Sequence, residues 1–421
     1  MTPRPERQRL YYGWVIAGSA SLILYAAYGV QYSFGVFLPE MERALAPGER
    51  AALSLGFAVY SVLYALFSLL SGRMTDVWGP RRVVMVGGVL LGMGILLAGQ
   101  ATNLWQYYIY YGFLAALGMS AVFVPATATV VKWFVARGGM AVGIVTTGAG
   151  VGQLTIPLLS ALLIAAWGWR TTYFAYGLAL ALVLILAGMW MERDPESVGL
   201  KPYGVGDSSW GGDAAGVGEE WSLRPSEAVR TPAFWLYTAA LFLFWSVVFL
   251  PVVHLPSFAR DALGASAGQG ALTLTALAAG STLGRFAGGS TADLLGRRRA
   301  FILLVGVQVF GFLGLLLASP TESLALAYAA AVALGVGLGG TTAVYPVYAG
   351  HLFGRLYAGS ISGIIFAIAG AATGIGVYLA GAIQQATGSY VGAFAIGGGL
   401  TLLSLPLILR VRPPRSMPSY R

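Results

Sequence analysis

This chain predicts an all-α membrane protein with twelve transmembrane helices in two six-helix, pseudo-symmetric bundles, and three observations carry that prediction. The first is composition. Of 421 residues, 57% are hydrophobic and only 10% are charged, whereas a soluble domain carries about a quarter charged residues. The second is spacing. Apolar segments long enough to cross a hydrocarbon core of about 30 Å recur from one end to the other. They fall near 13–38, 51–72, 83–101, 104–131, 139–166, 171–190, 233–257, 268–290, 300–319, 323–349, 358–386 and 390–410. The third is a single long polar interruption, Met191 to Arg230, whose glycines, serines and acids read as a flexible linker. The predicted organisation is an N-terminal bundle (1–190), a linker (191–230) and a C-terminal bundle (231–421).

The 59 glycines suit helices that pack closely in lipid, and the absence of cysteine removes disulfides, iron–sulfur clusters and thiolate metal sites. A net charge of +9 raises the question of nucleic acid. Its distribution answers it. With the N-terminus inside, all but five of the 25 Lys and Arg residues fall on inside segments. Arg43, Arg50, Arg170 and Arg260 fall outside, and Arg285 falls within the membrane. This positive-inside asymmetry predicts a multi-pass cell-membrane protein with both termini cytoplasmic, and explains the charge without nucleic acid. Arg4, Arg7 and Arg9 precede the first apolar run as in a signal peptide. That run is too long and lacks a small-residue cleavage site, so it reads as the first membrane helix.

An internal repeat supports two halves. Gly72-Arg-Met-Thr-Asp76-Val-Trp-Gly79-Pro-Arg81-Arg82 follows the second span, and Gly289-Ser-Thr-Ala-Asp293-Leu-Leu-Gly296-Arg297-Arg298-Arg299 follows the eighth, 217 positions later. Gly168-Trp169-Arg170, ending at Phe174, is echoed by Gly388-Ser389-Tyr390, ending at Phe394, at an offset of 220. Two parallel repeats about an axis normal to the membrane have this pattern.

Within the eighth span sits Arg285, eight residues before Asp293. At ~1.5 Å per residue that is roughly 12 Å up the helix axis, near mid-membrane if Asp293 marks the interface. A guanidinium there keeps its proton and is costly against lipid, so it faces a bundle interior or a wet cavity. Such a residue is an anion receptor, or else a structural arginine tied to backbone carbonyls.

The duplicated glycine–aspartate–arginine loop matches the signature loop of the major facilitator superfamily, which this chain resembles over essentially its whole length. Within that superfamily it resembles the monocarboxylate transporters and their bacterial relatives, including the oxalate/formate antiporters. Tyr12-Gly13-Trp14, Gln31-Tyr32, Lys132-Trp133-Phe134, Thr231-Pro232-Ala233-Phe234-Trp235 and Arg285 carry that resemblance. It implies that Arg285 pairs with a substrate carboxylate. Oxalate antiporters add a lysine in the eleventh helix, which falls near Ala369 here, and Ile361 to Gly381 holds no charge. One buried cation suits one carboxylate, because a second would stay unpaired at low dielectric. Many animal monocarboxylate transporters also carry an aspartate one turn before the arginine, where this chain has Ser281.

Around the arginine, Tyr25, Tyr28 and Tyr32 follow i, i+3, i+7 spacing and are expected to share a face of the first helix. Their hydroxyls suit a carboxylate and their rings its apolar end; interhelical packing is the alternative for each. Phe123 falls where the resembling antiporters place a cavity aromatic, and core packing is its alternative. Thr342 is expected near the midplane with Tyr345 nearly a turn further in, and Pro346 removes a helix hydrogen bond beside them. His254, between Pro251 and Pro256, is the one span residue whose ordinary pKa of about 6.5 lies in the physiological range. It is a proton-coupling candidate or an outer-gate histidine. Asp76 with Arg81 and Arg82, and Asp293 with Arg297 and Arg298, resemble the superfamily's cytoplasmic latch.

These readings predict a secondary carrier of a small monocarboxylate such as lactate or pyruvate, in symport with a proton. An organic anion exchanger of oxalate/formate or other dicarboxylate type is the alternative. A non-transporting receptor or scaffold is a remoter one, since no large soluble sensing domain accompanies the spans. No enzyme is expected. None of the 16 acids falls inside a predicted span, the two histidines sit at ends of different helices, and no Gly-x4-Gly-Lys-Ser/Thr loop occurs. No metal or other cofactor is expected; the partners are the anion, a proton and the bilayer.

Overall fold

A computed structural model describes residues 11–47, 50–205 and 222–414. Arg4, Arg7 and Arg9, most of the polar part of the linker (206–221) and the last residues of the C-terminal tail lie outside the described residues. The protein is helical throughout. The membrane-length passes are α1 (Tyr12–Tyr32, resuming as Phe34–Leu45), α2 (Arg50–Trp78), α3 (Pro80–Gln100) and α4 (Leu104–Trp133). The chain then passes from α5 (138–167) to α6 (169–188) through a kink at the non-helical Gly168, φ 76° and ψ 161°. The second set is α7 (Pro232–Leu263), α8 (Ala267–Leu295), α9 (Arg297–Thr321), α10 (Leu324–Phe353), α11 (Ala358–Ala371, resuming as Thr373–Thr387) and α12 (Val391–Arg410).

Nine helical runs among the described residues are long and apolar enough to span a membrane, the α5–α6 run counting as one of them. The two further passes are the ones with polar residues or a break. α8 carries Arg285 and Asp293 among its glycines and serines, and α11 is interrupted at Ala372.

The repeat noticed in sequence is a repeat of conformation. Gly79 and Gly296 end their loops with φ 86° at both and ψ 155° and 147°. A side chain is disfavoured there, which is why both turns close on glycine. Pro80 then supplies a preset first helical φ for α3.

Close helix crossings connect the elements. Inside the halves, α1 lies on α5, α3 on α6, α8 on α10, and α9 on α10. The two most extensive crossings between the halves are α2 with α11 and α5 with α8. Small residues permit both. A Cβ on Gly72 would strike the carbonyl of Gly359, and one on Gly289 would strike the carbonyl of Gly139. These are the leading glycines of the two repeated loops.

The α8–α10 contact is the tightest of the intra-half seams. Gly280, Gly284 and Gly288 follow small-xxx-small spacing and lie on Val332, Val336 and Gly340. A Cβ at Gly284 would sit 2.7 Å from Cα of Val336. Gly284→Val is therefore expected to cost at least the ~1–3 kcal/mol of an overpacked core. The check is the Tm and folded yield of the purified protein. An unchanged Tm would mean that these helices part without cost.

Candidate functional site

Helix breaks create the space at the centre. α1 stops at Tyr32, where Ser33 Oγ donates to Gly29 O (2.8 Å). α4 contains a π-helical stretch, Tyr108–Ala115, ends a segment at Ser120 and resumes at Phe123. α7 stops at Ser246 and resumes at Phe249, two residues before Pro251. α11 breaks at Ala372. Residues at or beside all four breaks, Tyr32, Phe123, Phe249 and Thr373, line one cavity of about 100 Å³. Discontinuous helices are how membrane carriers make room at mid-depth without exposing backbone to lipid. That room holds several waters at roughly 10–15 Å³ of probe-occupied space each, or an organic acid of a few heavy atoms.

Arg285 lines this cavity and is 3% exposed. Its Nη1 donates to Thr146 O on α5, in the other half, at 3.1 Å, and its Nε donates to Ser281 Oγ one turn back at 3.4 Å. The guanidinium has five N–H donors; these two bonds and one to the Tyr32 hydroxyl engage three of them, and two remain. Among the described residues no carboxylate pairs with it. A carbonyl thus holds one arm of Arg285, as the structural reading expects, while the residue also lines the cavity.

Tyr28, Tyr32, Phe123 and Thr342 line the same cavity. The Tyr28 and Tyr32 rings stack at 6.0 Å, and Tyr28 Oη lies 2.7 Å from Tyr64 Oη. The Tyr32 hydroxyl interacts with the Arg285 guanidinium. Phe123 is 1% exposed, meets Tyr28 edge-on at 6.1 Å and stacks on Phe366 at 5.6 Å. Thr342 Oγ1 donates to Leu338 O (2.7 Å), so it offers the cavity an acceptor and a methyl group, its proton being in use.

Tyr25 and Tyr345 belong to the expected set but do not line the cavity. α5 crosses α1 so closely that a Cβ on Gly152 would strike the Tyr25 carbonyl. The Tyr25 hydroxyl accepts instead from Thr155 Oγ1 (3.3 Å). Tyr345 is wholly buried behind the lining, stacked on Phe123 at 5.9 Å and edge-on to Trp245 at 5.1 Å. Its hydroxyl has no hydrogen-bond partner among the described residues. Removing an unpartnered buried hydroxyl costs nothing and relieves desolvation of about 1–3 kcal/mol. Tyr345→Phe is expected to keep uptake and to hold or raise Tm, and loss of uptake at unchanged Tm would return this hydroxyl to the site. His254 also lies away from the lining, its ring 5.4 Å from that of Tyr390 at the start of α12.

The lining contains residues the spacing argument passed over. Gln31, Tyr64, Trp245 and Phe366 are among them. Trp245 carried a signal, since tryptophans collect at membrane interfaces and this one falls in mid-span. Gln31 was visible only as a motif neighbour of Tyr32; its Oε1 is buried without a hydrogen-bond partner among the described residues. Tyr64 and Phe366 come from helices whose facing depends on the α2–α11 crossing.

The end of the molecule carrying the repeated loops is clamped twice. Asp76 Oδ2 accepts from Ser360 N (2.6 Å) and Oδ1 from Gly359 N (3.2 Å), at the start of α11. Asp293 Oδ1 and Oδ2 accept from Gly139 N (2.8 Å) and Met140 N (2.7 Å), at the start of α5. Each aspartate reaches across to the N-terminus of a helix in the other half, where a negative charge is favoured. The expected pairing with the loop's own arginines needs correction at Asp76, whereas Asp293 still interacts electrostatically with Arg297. Buried Lys132, not an arginine, is the cation on Asp76, at 2.7 Å. Arg81 faces Glu192 at 3.7 Å and Arg82 is exposed. Arg297 lies 2.9 Å from His351 Nδ1, and Arg298 donates to Leu409 O. The turn aims the aspartate at the helix crossing and swings the following arginines to the rim.

Two helical halves clamped around a central, partly polar cavity define a membrane carrier of a small solute. The chain belongs to the Major Facilitator Superfamily, whose family model matches residues 17–376. It is 30% identical to monocarboxylate transporter 13 of Rattus norvegicus, over 96% of this chain and 92% of that protein. It is also 30% identical to human monocarboxylate transporter 11, over 100% and 87%. The structure of the proton:xylose symporter XylE bound to 6-bromo-6-deoxy-D-glucose superposes with a TM-score of 0.74 at 14% identity, covering 95% of this chain and 96% of that one. The protein is therefore a multi-pass secondary transporter and not an enzyme.

Proposed function

We propose that this transporter carries small monocarboxylates of the lactate or pyruvate kind in symport with a proton, binding the carboxylate on Arg285. One observation carries the reading. A buried guanidinium with no carboxylate partner among the described residues faces a small cavity otherwise lined by hydroxyls and apolar side chains. An anion of one charge satisfies it, while a second carboxylate would find no cation in that lining. Tyr32 supports the carboxylate, Phe123 and Trp245 the apolar end, and the buried Gln31 carbonyl suits a substrate hydroxyl. The relatives named as monocarboxylate transporters support the same substrate class.

The proposed topology puts both termini in the cytoplasm, so the Asp76 and Asp293 clamps close the cytoplasmic side and rocking of the halves breaks them. Charge balance supplies the coupling without an acid in the cavity lining: anion and proton cross together as a neutral unit, and an empty, uncompensated Arg285 resists crossing. His254 is the one candidate for a residue-borne proton in the spans.

The test is uptake of labelled lactate into vesicles holding the purified protein, with and without an inward proton gradient. Accumulation driven by that gradient is the expected result. Rapid exchange against internal anions, indifferent to pH, would replace symport by anion exchange.

A further inference from the structure

Away from the central cavity, a pocket of about 450 Å³ opens between the start of α9, the end of α10 and the end of α12. Arg297, Arg298, Arg299 and Arg412 line it together with His351, and no acidic side chain does so among the described residues. Two of the four guanidiniums are fastened to the wall, Arg297 at His351 and Arg298 at the carbonyl of Leu409. The first turn of α9 has no side-chain cap, so its backbone N–H groups face the same region.

This arrangement opposes two rules at once. Like charges so close repel one another, and cations at a helix N-terminus oppose its dipole. Setting topology needs basic residues near the membrane, but it does not need them converged on one pocket at a helix start. Convergence is favourable once an oxyanion is shared between them, and arginine's planar fork matches phosphate where lysine offers only a point charge. The rim decides which phosphate. Leu295 and Leu409 line the same pocket and are 49% and 53% exposed on membrane-length helices. A phosphate bearing acyl chains satisfies basic floor and apolar rim together, which a free ion does not.

We infer that this pocket binds the headgroup phosphate of an anionic phospholipid. The test is native mass spectrometry of the full chain in detergent, titrated with phosphatidylglycerol and, separately, phosphatidylcholine. The unsubstituted protein is expected to retain phosphatidylglycerol about tenfold more tightly or better, and Arg298→Gln/Arg299→Gln/Arg412→Gln to lose about a hundredfold in that affinity. Arg43→Gln/Arg260→Gln, in the last turns of helices remote from this pocket, is expected to retain the lipid. No preference in the unsubstituted protein, equal retention by the triple variant, or equal loss in the remote pair would each overturn the assignment. Low millimolar inorganic phosphate that displaces the lipid would make this a free-anion site and overturn the lipid source.

Discussion

Arg285→Ala is expected to lower kcat/KM for lactate uptake by about 10²–10³-fold. Truncating one partner of a buried ion pair costs about 3–5 kcal/mol, and about 1.4 kcal/mol is a factor of ten. Arg285→Lys keeps the charge but loses the fork and both anchors, Thr146 O and Ser281 Oγ. It is expected to be impaired by about tenfold or more, because a flexible ammonium cannot present two parallel donors. The fold should survive both changes, since Thr146 O lies within a continuous helix. Vesicle uptake compared with Tm separates the two roles. Parental uptake in either variant would remove Arg285 as the receptor.

Asp76→Asn is expected to have the larger effect of the two clamp substitutions. It weakens two bonds to the start of α11 and also strands Lys132, which is 5% exposed, without its counter-charge. An uncompensated buried cation costs about 3–5 kcal/mol, and part of that falls on the clamped state alone. The population with the clamped end parted should rise by about tenfold or more. The chain has no cysteine, so Val347→Cys gives a clean probe. Val347 is 5% exposed and faces Gly138 across the junction of the halves. Maleimide labelling there should accelerate in Asp76→Asn and less in Asp293→Asn, which likewise weakens two backbone bonds but strands no buried lysine. Asp76→Asn/Lys132→Met should recover Tm while keeping fast labelling. Labelling rates equal to the parent's in all three would mean that the clamps do not set the equilibrium.

How far the site was legible in sequence depends on whether one helix or several define a residue's surroundings. Arg285 announced itself because a charge in lipid is costly wherever its helix faces, so its direction toward the interior followed from energy alone. Tyr28 and Tyr32 were reachable by periodicity. Tyr25 shares that periodicity and still points elsewhere, because the approach of Gly152 on α5 closes the space over it. Tyr345 failed for a related reason: being in the right helix at nearly the right depth does not distinguish the lining from the layer behind it, and Phe123 and Trp245 occupy the lining.

The repeated loop teaches the same lesson at the clamped end. Glycine spacing and the aspartate were plain in the chain, and local sterics at Gly79 and Gly296 account for them. Apart from Arg297, four residues after Asp293, the groups the aspartates meet were not local. Their partners are backbone N–H groups at residues 139, 140, 359 and 360, and a lysine 56 positions from Asp76.

Composition and span length by themselves determined that this chain lives in a bilayer as two six-helix halves, because lipid admits few solutions for an unpaired backbone. A single mid-span guanidinium pointed to an anion as the expected ligand. Only the tertiary structure decided which hydroxyls and rings surround that guanidinium, and which end of the molecule is clamped. Those outcomes rest on helix crossings set by glycine contacts between segments far apart in sequence, where a rotation or shift of one helix exchanges lining for core.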